Sequence, residues 1–124
     1  MAEIKSDIHP ELAVFTVEGA LSVYEVIDTL NTYYPNLVKK HIIWDFTNGD
    51  LSDMAIADFE MIAKVAKKIM TPSKERKTAF VASRDLEYGL MRMYSVFGEL
   101  KLTPTNYSVF KSLAEAKAWI DDDT

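Results

Sequence analysis

Three polar residues of this 124-residue chain lie at the ends of apolar, strand-like segments, where they could do chemistry together. Asp45 closes "HIIWD", Ser83 closes "TAFVAS", and Lys111 follows "YSVF". The carboxyl ends of parallel strands meet at one edge of an α/β sheet, and binding sites form there. An aspartate, a hydroxyl and a lysine at such an edge would suit phosphoryl transfer to the aspartate. That chemistry also needs an acidic pair after the first strand to hold magnesium, and "VEGALS" supplies none.

The other titratable residues form no catalytic or metal-binding pattern. His9 and His41 are far apart in sequence, and the absence of cysteine excludes disulfides, thiolate zinc sites and cysteine nucleophiles. The aspartates between residues 45 and 58 have the spacing of turns and helix caps, not of an EF-hand loop. Neither a glycine-rich phosphate loop nor a serine elbow is present. We therefore predict that the protein is not an enzyme and uses no cofactor and no metal.

Charge and hydropathy exclude further classes of function. A net charge of −5 argues against general nucleic-acid binding, in which phosphate neutralisation dominates affinity. No apolar run reaches the length of a membrane span, and the first residues lack the layout of a signal peptide. These features favour a cytoplasmic protein that folds as one domain over residues 1–124. A basic stretch indicates either a solvated helix end or a site for an anion; it comprises Lys64, Lys67, Lys68, Lys74, Arg76 and Lys77.

The elements that position these residues alternate along the chain. Alternating or continuous apolar patterns predict strands at 3–8, 12–19, 41–46, 78–83 and 107–110. Capping boxes at Ser22 with Glu25 and at Ser112 with Glu115 predict two helix starts. Ser52 is the predicted cap of a helix at about 53–70, and a further helix covers 85–97. The order β-β-α-β-α-β-α-β-α predicts an α/β fold, a mixed sheet flanked by helices.

The helix at 85–97 has an unusual surface. A spacing of 100° per residue places Leu86, Leu90, Met93 and Phe97 on a predicted core face, with Gly89 on its flank for close approach to a neighbour. The opposite side carries Tyr88, Met91, Arg92 and Ser95. This mixture of residue types is enriched at interfaces, but Tyr88 and Arg92 could equally pack across a loop and pair with a surface acid. Met61 and Val65 on the preceding helix would extend such a surface.

Several segments resemble a known family. "RKTAFVASRDLEYGLMRMYSVFGEL", with its Tyr-Gly-Leu-x-Arg-Met-Tyr helix at Tyr88–Tyr94, is similar to the signature region of the small bacterial SpoIIAA-like, or STAS-like, proteins. "YSVFKSLAEAKAWI" resembles the closing segment of that family, and "IIWDF" its central strand. The resemblance extends over roughly residues 3–120. It implies a SpoIIAA-like sheet flanked by helices, related to anti-sigma-factor antagonists, and no established catalytic residues.

The resemblance leaves two functions open. The first is a non-catalytic interaction or regulatory module that uses the Tyr88–Arg92 surface for a protein partner or for a homodimer. The second is a binder of a small apolar or lipid-like ligand, because STAS-like folds resemble the lipid-binding Sec14 (CRAL-TRIO) fold. Phospho-regulated antagonists carry an Asp-Ser-Ser-Gly turn, but here only Ser52 stands nearby, flanked by Asp50 and Asp53. Ser52 is therefore interpreted as a helix cap, with a phospho-switch as the alternative.

Overall fold

Strands and helices alternate along the whole described part of the chain. A computed structural model describes residues 2–37, 40–70, 76–100 and 106–122, and for 96–100 it describes the backbone alone. Its elements are β1 (Glu3–Ile8), β2 (Leu12–Ala20), α1 (Val23–Tyr33), β3 (His41–Asp50), α2 (Ile56–Ile69), β4 (Lys77–Val81), α3 (Asp85–Leu100), β5 (Asn106–Phe110) and α4 (Leu113–Ile120). A 3₁₀ turn at Tyr34–Asn36 follows α1. The predicted order of strands and helices is confirmed.

The strands form one mixed sheet in the order β1-β2-β3-β4-β5. β1 and β2 are antiparallel, joined by a tight turn in which the His9 N–H donates to the Leu12 carbonyl at 2.8 Å. The pairs from β2 to β5 are parallel, and each parallel connection contains a helix. Parallel neighbours need such crossovers, whereas an antiparallel pair can be joined by a short turn.

The third strand is longer than predicted. β3 continues through "TNGD", beyond the predicted strand at 41–46, because these residues pair with the end of β2. The pairing shifts register between Thr16 and Glu18 and then resumes, with Gly19 opposite Gly49. Gly19 has a φ of 88°, a backbone conformation that favours glycine. An irregularity of this kind in β2 could not be predicted from local composition.

Two apolar cores lie on the two faces of the sheet. The larger core joins the sheet to α1, α2 and α3, and the smaller joins it to α4 through Ile43, Val81 and Ile120. A row of aromatic rings crosses the larger core along the sheet, with neighbouring centroids 4.8–6.4 Å apart; it consists of Phe15, Trp44, Phe46, Phe80 and Tyr107. Phe15, Trp44 and Phe80 share this face because they are in register across three strands.

The capping box predicted at the start of α1 is complete, whereas the one predicted at the start of α4 is only half formed. The Ser22 side chain accepts from the Glu25 N–H, and Glu25 Oε1 accepts from the Ser22 N–H at 3.1 Å, so the first capping box is complete. At α4, Ser112 Oγ accepts from the Glu115 N–H but donates to the Glu115 carboxylate instead of leaving it for the Ser112 N–H. The second box is therefore half formed.

The predicted start of α2 is wrong. The helix begins at Ile56, not near residue 53, and its N-cap is Ala55 instead of Ser52. Alanine has no side-chain acceptor, so the helix start is stabilised from inside, where Asp58 Oδ2 accepts from the Ala55 N–H at 2.9 Å. Leu51 and Met54, which precede the helix, are buried and fix the approach of the chain.

Candidate functional site

The orientation of α3 differs from the prediction. Its buried residues are Glu87, Met91, Tyr94 and Ser95, whereas Leu86 is 52% exposed. Leu90 and Met93 are half-buried, and the Phe97 side chain lies outside the described residues. The predicted core face is therefore right only in part: Leu90 and Met93 pack against the larger core, Leu86 does not, and Met91 and Ser95 do not lie on an exposed surface. The prediction failed because apolar side chains occur on every side of this helix.

Contacts of Tyr94 and Ser95 explain the observed orientation. The Tyr94 ring packs edge-on against Phe80 and Tyr107, with centroids 5.6 and 6.0 Å away, and against Phe59 of α2 at 6.2 Å. Ser95 Oγ donates to the Met91 carbonyl at 2.9 Å, so its burial leaves the hydroxyl satisfied. These contacts turn the Met91–Tyr94 side of α3 toward the sheet.

A buried carboxylate joins α3 to the loop after β3. Glu87 is 2% exposed; one oxygen accepts from the Leu51 N–H at 3.1 Å, and the other pairs with Arg84 Nε at 3.1 Å. Arg84 also donates to the Gly49 carbonyl. This cluster lies at the carboxyl edge of the sheet, where α/β folds place their sites. Its groups are engaged with one another, so we interpret it as a clamp between β3 and α3.

Ser52 lies in this same loop but is not the cap of a helix. It is exposed, and its N–H donates to Asp50 Oδ1 at 2.9 Å. Hydrogen bonds from Ser52 and the charge of Arg84 lower the pKa of the Asp50 carboxyl. A phosphate on Ser52 would meet the Asp50 carboxylate and would stand four residues before the first residue of α2.

The three polar residues at strand ends do not form a joint site. Asp45 is turned toward the smaller core and accepts from both the backbone and the hydroxyl of Thr47, at 2.9 and 2.6 Å. Lys111 lies 3.8 Å from Asp85 and 5.1 Å from the centre of the Tyr88 ring. Ser83 is exposed between β4 and α3. Asp45 and Lys111 thus have local partners in place of a shared substrate.

The remaining predicted surface residues are accessible to different degrees. Arg92 is exposed, Tyr88 is half-buried under Lys111, Met61 is 45% exposed, and Val65 is half-buried. Two further apolar side chains, Ile56 and Leu86, are 61% and 52% exposed at the first turns of α2 and α3. The Cβ that an alanine would add at position 89 meets no atom of another described segment within 4 Å, so the predicted close approach at Gly89 is not found among the described residues.

A cavity of about 40 Å³ lies in the larger core, between the sheet and helices α1, α2 and α3. Its walls are almost entirely apolar and include Trp44 and Phe80 of the sheet and Met91 of α3. Two more methionines, Met54 and Met70, line it before and after α2. Unbranched thioether side chains adapt to irregular space, so these walls can repack around a guest. The arrangement suits an apolar molecule.

Polar groups gather where the cavity meets the amino ends of β4 and β5. The Trp44 indole N–H donates to the Tyr34 hydroxyl at 2.8 Å, and both side chains line the cavity with Tyr107. Arg76, 3% exposed, lies within electrostatic range of Tyr34 and Tyr107. Burial lowers the pKa of Arg76 and raises the pKa of Tyr34 well above its ordinary value.

Sequence reasoning placed Arg76 in a basic surface stretch, and the structure corrects this. Only Lys64, Lys67 and Lys68 of that stretch are exposed within the described residues; Lys74 lies outside them. Lys77 donates to the Trp119 and Asp122 carbonyls, at 2.7 and 2.5 Å. A period-two pattern could have revealed Arg76, because it precedes the buried, same-face residues Thr78 and Phe80 by two and four positions.

The described residues include neither a membrane-spanning helix nor a metal-binding cluster. None of their helices is long and apolar enough to cross a membrane. Within the same ranges, no three histidine, cysteine or acidic side chains stand close enough together to hold a metal ion.

The comparisons with known proteins identify the fold. No family model and no curated protein matches the chain. An uncharacterised protein of the DUF3478 family with a SpoIIAA-like fold, from Shewanella loihica PV-4, superposes with a TM-score of 0.62 and 18% identity over 96% of this chain and 93% of its own. An anti-sigma factor antagonist from Mycobacterium paratuberculosis gives a TM-score of 0.67 and 14% identity, covering 98% and 96%. The protein therefore has a SpoIIAA-like, STAS-type α/β fold, as its sequence predicted.

Proposed function

We propose that this protein is a non-catalytic interaction or regulatory module. The observation that carries the proposal is the likeness to an anti-sigma factor antagonist over nearly the full length of both chains. An antagonist acts by binding, so a protein partner is the expected ligand. The clamp of Glu87, Arg84 and Leu51 supports this function, because it uses the polar groups at the sheet edge for structure.

The proposed contact surface, called the α2–α3 surface, is the predicted one without its buried members. It consists of Met61 and Val65 of α2, Tyr88 and Arg92 of α3, and the exposed Ile56 and Leu86. Both helices cover the same face of the sheet. Met61 and Val65 are one helical turn apart on α2, as are Tyr88 and Arg92 on α3. Exposed apolar residues together with arginine and tyrosine suit an interface. We propose that a second copy of the chain binds here, since twofold pairs are the commonest oligomers.

Light scattering after size-exclusion chromatography tests the dimer over a range of concentrations. We expect a mass of twice 14.1 kDa that falls toward one chain on dilution. Met61→Glu and Arg92→Glu should each weaken the dimer at least tenfold. Lys117→Glu should not, because Lys117 is an exposed residue of α4, on the opposite face of the sheet. A single-chain mass at every concentration would reject the homodimer and leave a different protein as the partner.

A second candidate function is supported by the cavity. Its position inside the larger core, its apolar walls and its three methionines fit the binding of a small apolar or lipid-like molecule. Native mass spectrometry of protein purified from cells tests it. Ala66 lies in the cavity wall, so Ala66→Leu should displace a bound molecule. An apolar compound that co-purifies with the parent protein but not with this variant would support the function. No such compound with either protein would count against it.

The phospho-switch at Ser52 remains a separate proposal. The exposed hydroxyl is accessible, and Arg84 lies within electrostatic range of the adjacent Asp50. Incubation with kinase-containing extract and mass spectrometry of the 49–60 region would show whether Ser52 is modified. Phosphorylation of this region that is lost in Ser52→Ala but retained in the control variant Ser83→Ala would support the switch.

A further inference from the structure

We propose that the free edge of β1 is a further self-association surface, at which the β1 strands of two copies pair antiparallel about Ser6. The inference goes beyond the proposed function, because β1 lies at the end of the sheet and contributes no residue to the α2–α3 surface. Pairing at this edge joins the five-stranded sheets of two copies into one continuous sheet.

The outer side of β1 offers a regular row of backbone hydrogen-bonding groups. β1 is an edge strand, and its only strand partner among the described residues is β2. The His9 N–H donates to the Leu12 carbonyl, so these two residues form a hydrogen-bonded pair, and every second residue back along β1 repeats the pairing. The odd-numbered residues of β1 therefore bond to β2. The N–H and C=O groups of Ile4, Ser6 and Ile8 point away from the sheet, where another strand can bond them.

The charges of β1 make this edge complementary to itself. Glu3, Lys5 and Asp7 alternate in sign, and all three are exposed. When two copies pair about Ser6, each Lys5 stands opposite Asp7 of the second copy, and twofold symmetry repeats this ion pair. Both ion pairs occupy non-hydrogen-bonded positions, where opposite side chains are closest. Pairing about Lys5 or about Asp7 would instead place like charges opposite each other. Asp7 also lies 3.5 Å from His9, but both side chains are more than half exposed, so the carboxylate stays accessible.

The apolar residues of β1 favour the same register. Ile4 and Ile8 lie on the side of β1 that faces the larger core, and Ile8 is 43% exposed. Pairing about Ser6 places each Ile8 opposite Ile4 of the second copy. This contact removes the exposed apolar surface of Ile8 from water, which stabilises the pair.

The ends of the strand limit the pairing to β1 itself. In the register about Ser6, the next residues to meet are Ala2 and Pro10 of the second copy. The Ala2 N–H already donates to Glu25 Oε2 at 3.0 Å, and proline has no N–H, so the hydrogen bonds end there. A register about Ile4 also opposes unlike charges, but it needs the same Ala2 N–H and covers less of the strand.

The size of this interface sets its strength. A pair of six-residue strands lies at the low end of the size range of specific interfaces, so the pairing needs a higher protein concentration than a larger interface. The β1 edge and the α2–α3 surface belong to different elements, and both can be occupied at once. Met61→Glu, which weakens the contact at the α2–α3 surface, therefore isolates the pairing of β1.

A charge exchange in the Met61→Glu protein tests the ion pairs. Sedimentation equilibrium at increasing concentration should show association to two chains. Lys5→Asp or Asp7→Lys alone places like charges opposite each other twice and should weaken the association about tenfold. The double exchange of Lys5→Asp with Asp7→Lys restores unlike charges and should recover the affinity. Lys117→Glu changes the net charge as much as Lys5→Asp, lies exposed on α4, and should leave the association unaltered.

Single cysteines test the register, because the chain contains none. In Ser6→Cys the two thiols face each other across the twofold axis, with Cα atoms about 5.5 Å apart, a separation that a disulfide spans. Mild oxidation should therefore link most of this protein into pairs. Lys5→Cys and Ile4→Cys should link little, since other residues stand opposite their thiols. Ser6 is half-buried and Lys5 is exposed, so random collision would favour the reverse result.

The outcomes separate this pairing from the α2–α3 surface. A Met61→Glu protein with a single-chain mass at every concentration would overturn the pairing of β1, while a dimeric parent protein would still support the α2–α3 surface. Association that Lys5→Asp leaves unaltered would also overturn it. Oxidation that links Ile4→Cys in preference to Ser6→Cys would overturn the register about Ser6. Far-ultraviolet circular dichroism verifies that each variant is folded.

Discussion

At the residue scale, the structure is decided by a few polar side chains that sequence patterns treat as surface. Glu87 occupies a helix that is otherwise apolar on many sides, yet it is buried and its two oxygens have separate partners. A buried carboxylate is tolerated only when such partners compensate for its lost hydration. Glu87 therefore fixes the rotation of α3 and links it to the loop after β3.

Replacing Glu87 tests this role. Glu87→Ala should lower the free energy of unfolding by about 2 kcal/mol, because it removes a charge-assisted hydrogen bond to Leu51 and an ion pair to Arg84. Arg84 is half exposed, so water can solvate the guanidinium left behind and limit the loss. Urea denaturation measures the change. Asp85→Ala, at a fully exposed partner of Lys111, is the control and should change stability by less than about 0.5 kcal/mol.

His41 makes stability depend on pH. Its Nδ1 accepts from the Lys77 N–H at 3.0 Å, and burial, together with the charge of Lys77, holds its pKa below the ordinary value of 6.5. As pH falls from about 7 to 5, the unfolded chain takes up a proton that the folded ring resists, so the free energy of unfolding decreases. Above about pH 7 this contribution is constant.

His41→Asn keeps an acceptor for the Lys77 N–H but removes the titrating ring. The variant should show a shallower loss of stability between about pH 7 and 5 than the parent protein. Urea denaturation at four pH values measures both slopes. Identical slopes would show that the folded state does not resist protonation of His41.

At the element scale, α3 illustrates why a helical pattern can predict a helix and still misplace it. Leu86, Leu90 and Met93 have the spacing of a core face, but the fully buried side carries Met91 and Tyr94, while Leu90 and Met93 are only partly buried against the core. Among the described residues, Gly89 then has no neighbouring segment close to it. Its flexibility has a cost in helix stability that no contact offsets in the described structure.

Gly89→Ala should raise the free energy of unfolding by about 0.5–1 kcal/mol, because alanine favours the helix and its methyl group meets no other segment in the described part of the chain. Gly49→Ala provides the contrast. The added Cβ would stand 3.2 Å from Cγ1 of the fully buried Val17, whose branched side chain cannot move aside, so stability should fall by about 1 kcal/mol. Thermal denaturation compares the two. A loss with Gly89→Ala would mean that α3 contacts a partner at this position.

At the scale of the whole molecule, the main feature is an unequal pair of cores. The larger core carries three helices and the aromatic row, and it also contains the cavity. The smaller core is covered by α4. A void within the better-covered face loses dispersion contacts that close packing would provide. The molecule therefore retains space where the proposed ligand would bind.

Filling the cavity should stabilise the protein at the expense of that site. Ala66→Leu places a larger apolar side chain into the cavity wall and should raise the free energy of unfolding by up to about 1 kcal/mol, at about 24 cal/mol per Å³. Ala63→Leu is the matched control, because Ala63 is a buried alanine of α2 that does not line the cavity, and overpacking there should destabilise by about 1–3 kcal/mol. Urea denaturation measures the stability of both variants. An equal loss of stability in Ala66→Leu and Ala63→Leu would show that the cavity cannot accept a larger side chain.

The sequence by itself determined the order of strands and helices, the capping box at Ser22 and the SpoIIAA-like class, because periodicity and capping are properties of neighbouring residues. Only the tertiary structure decided which face of α3 is buried, that "TNGD" extends β3, and that Arg76 is buried. Each of these three outcomes depends on which other part of the chain packs against the segment. Where a segment is apolar on several sides, or polar yet compensated by distant partners, its local pattern is compatible with more than one placement, and long-range packing selects among them.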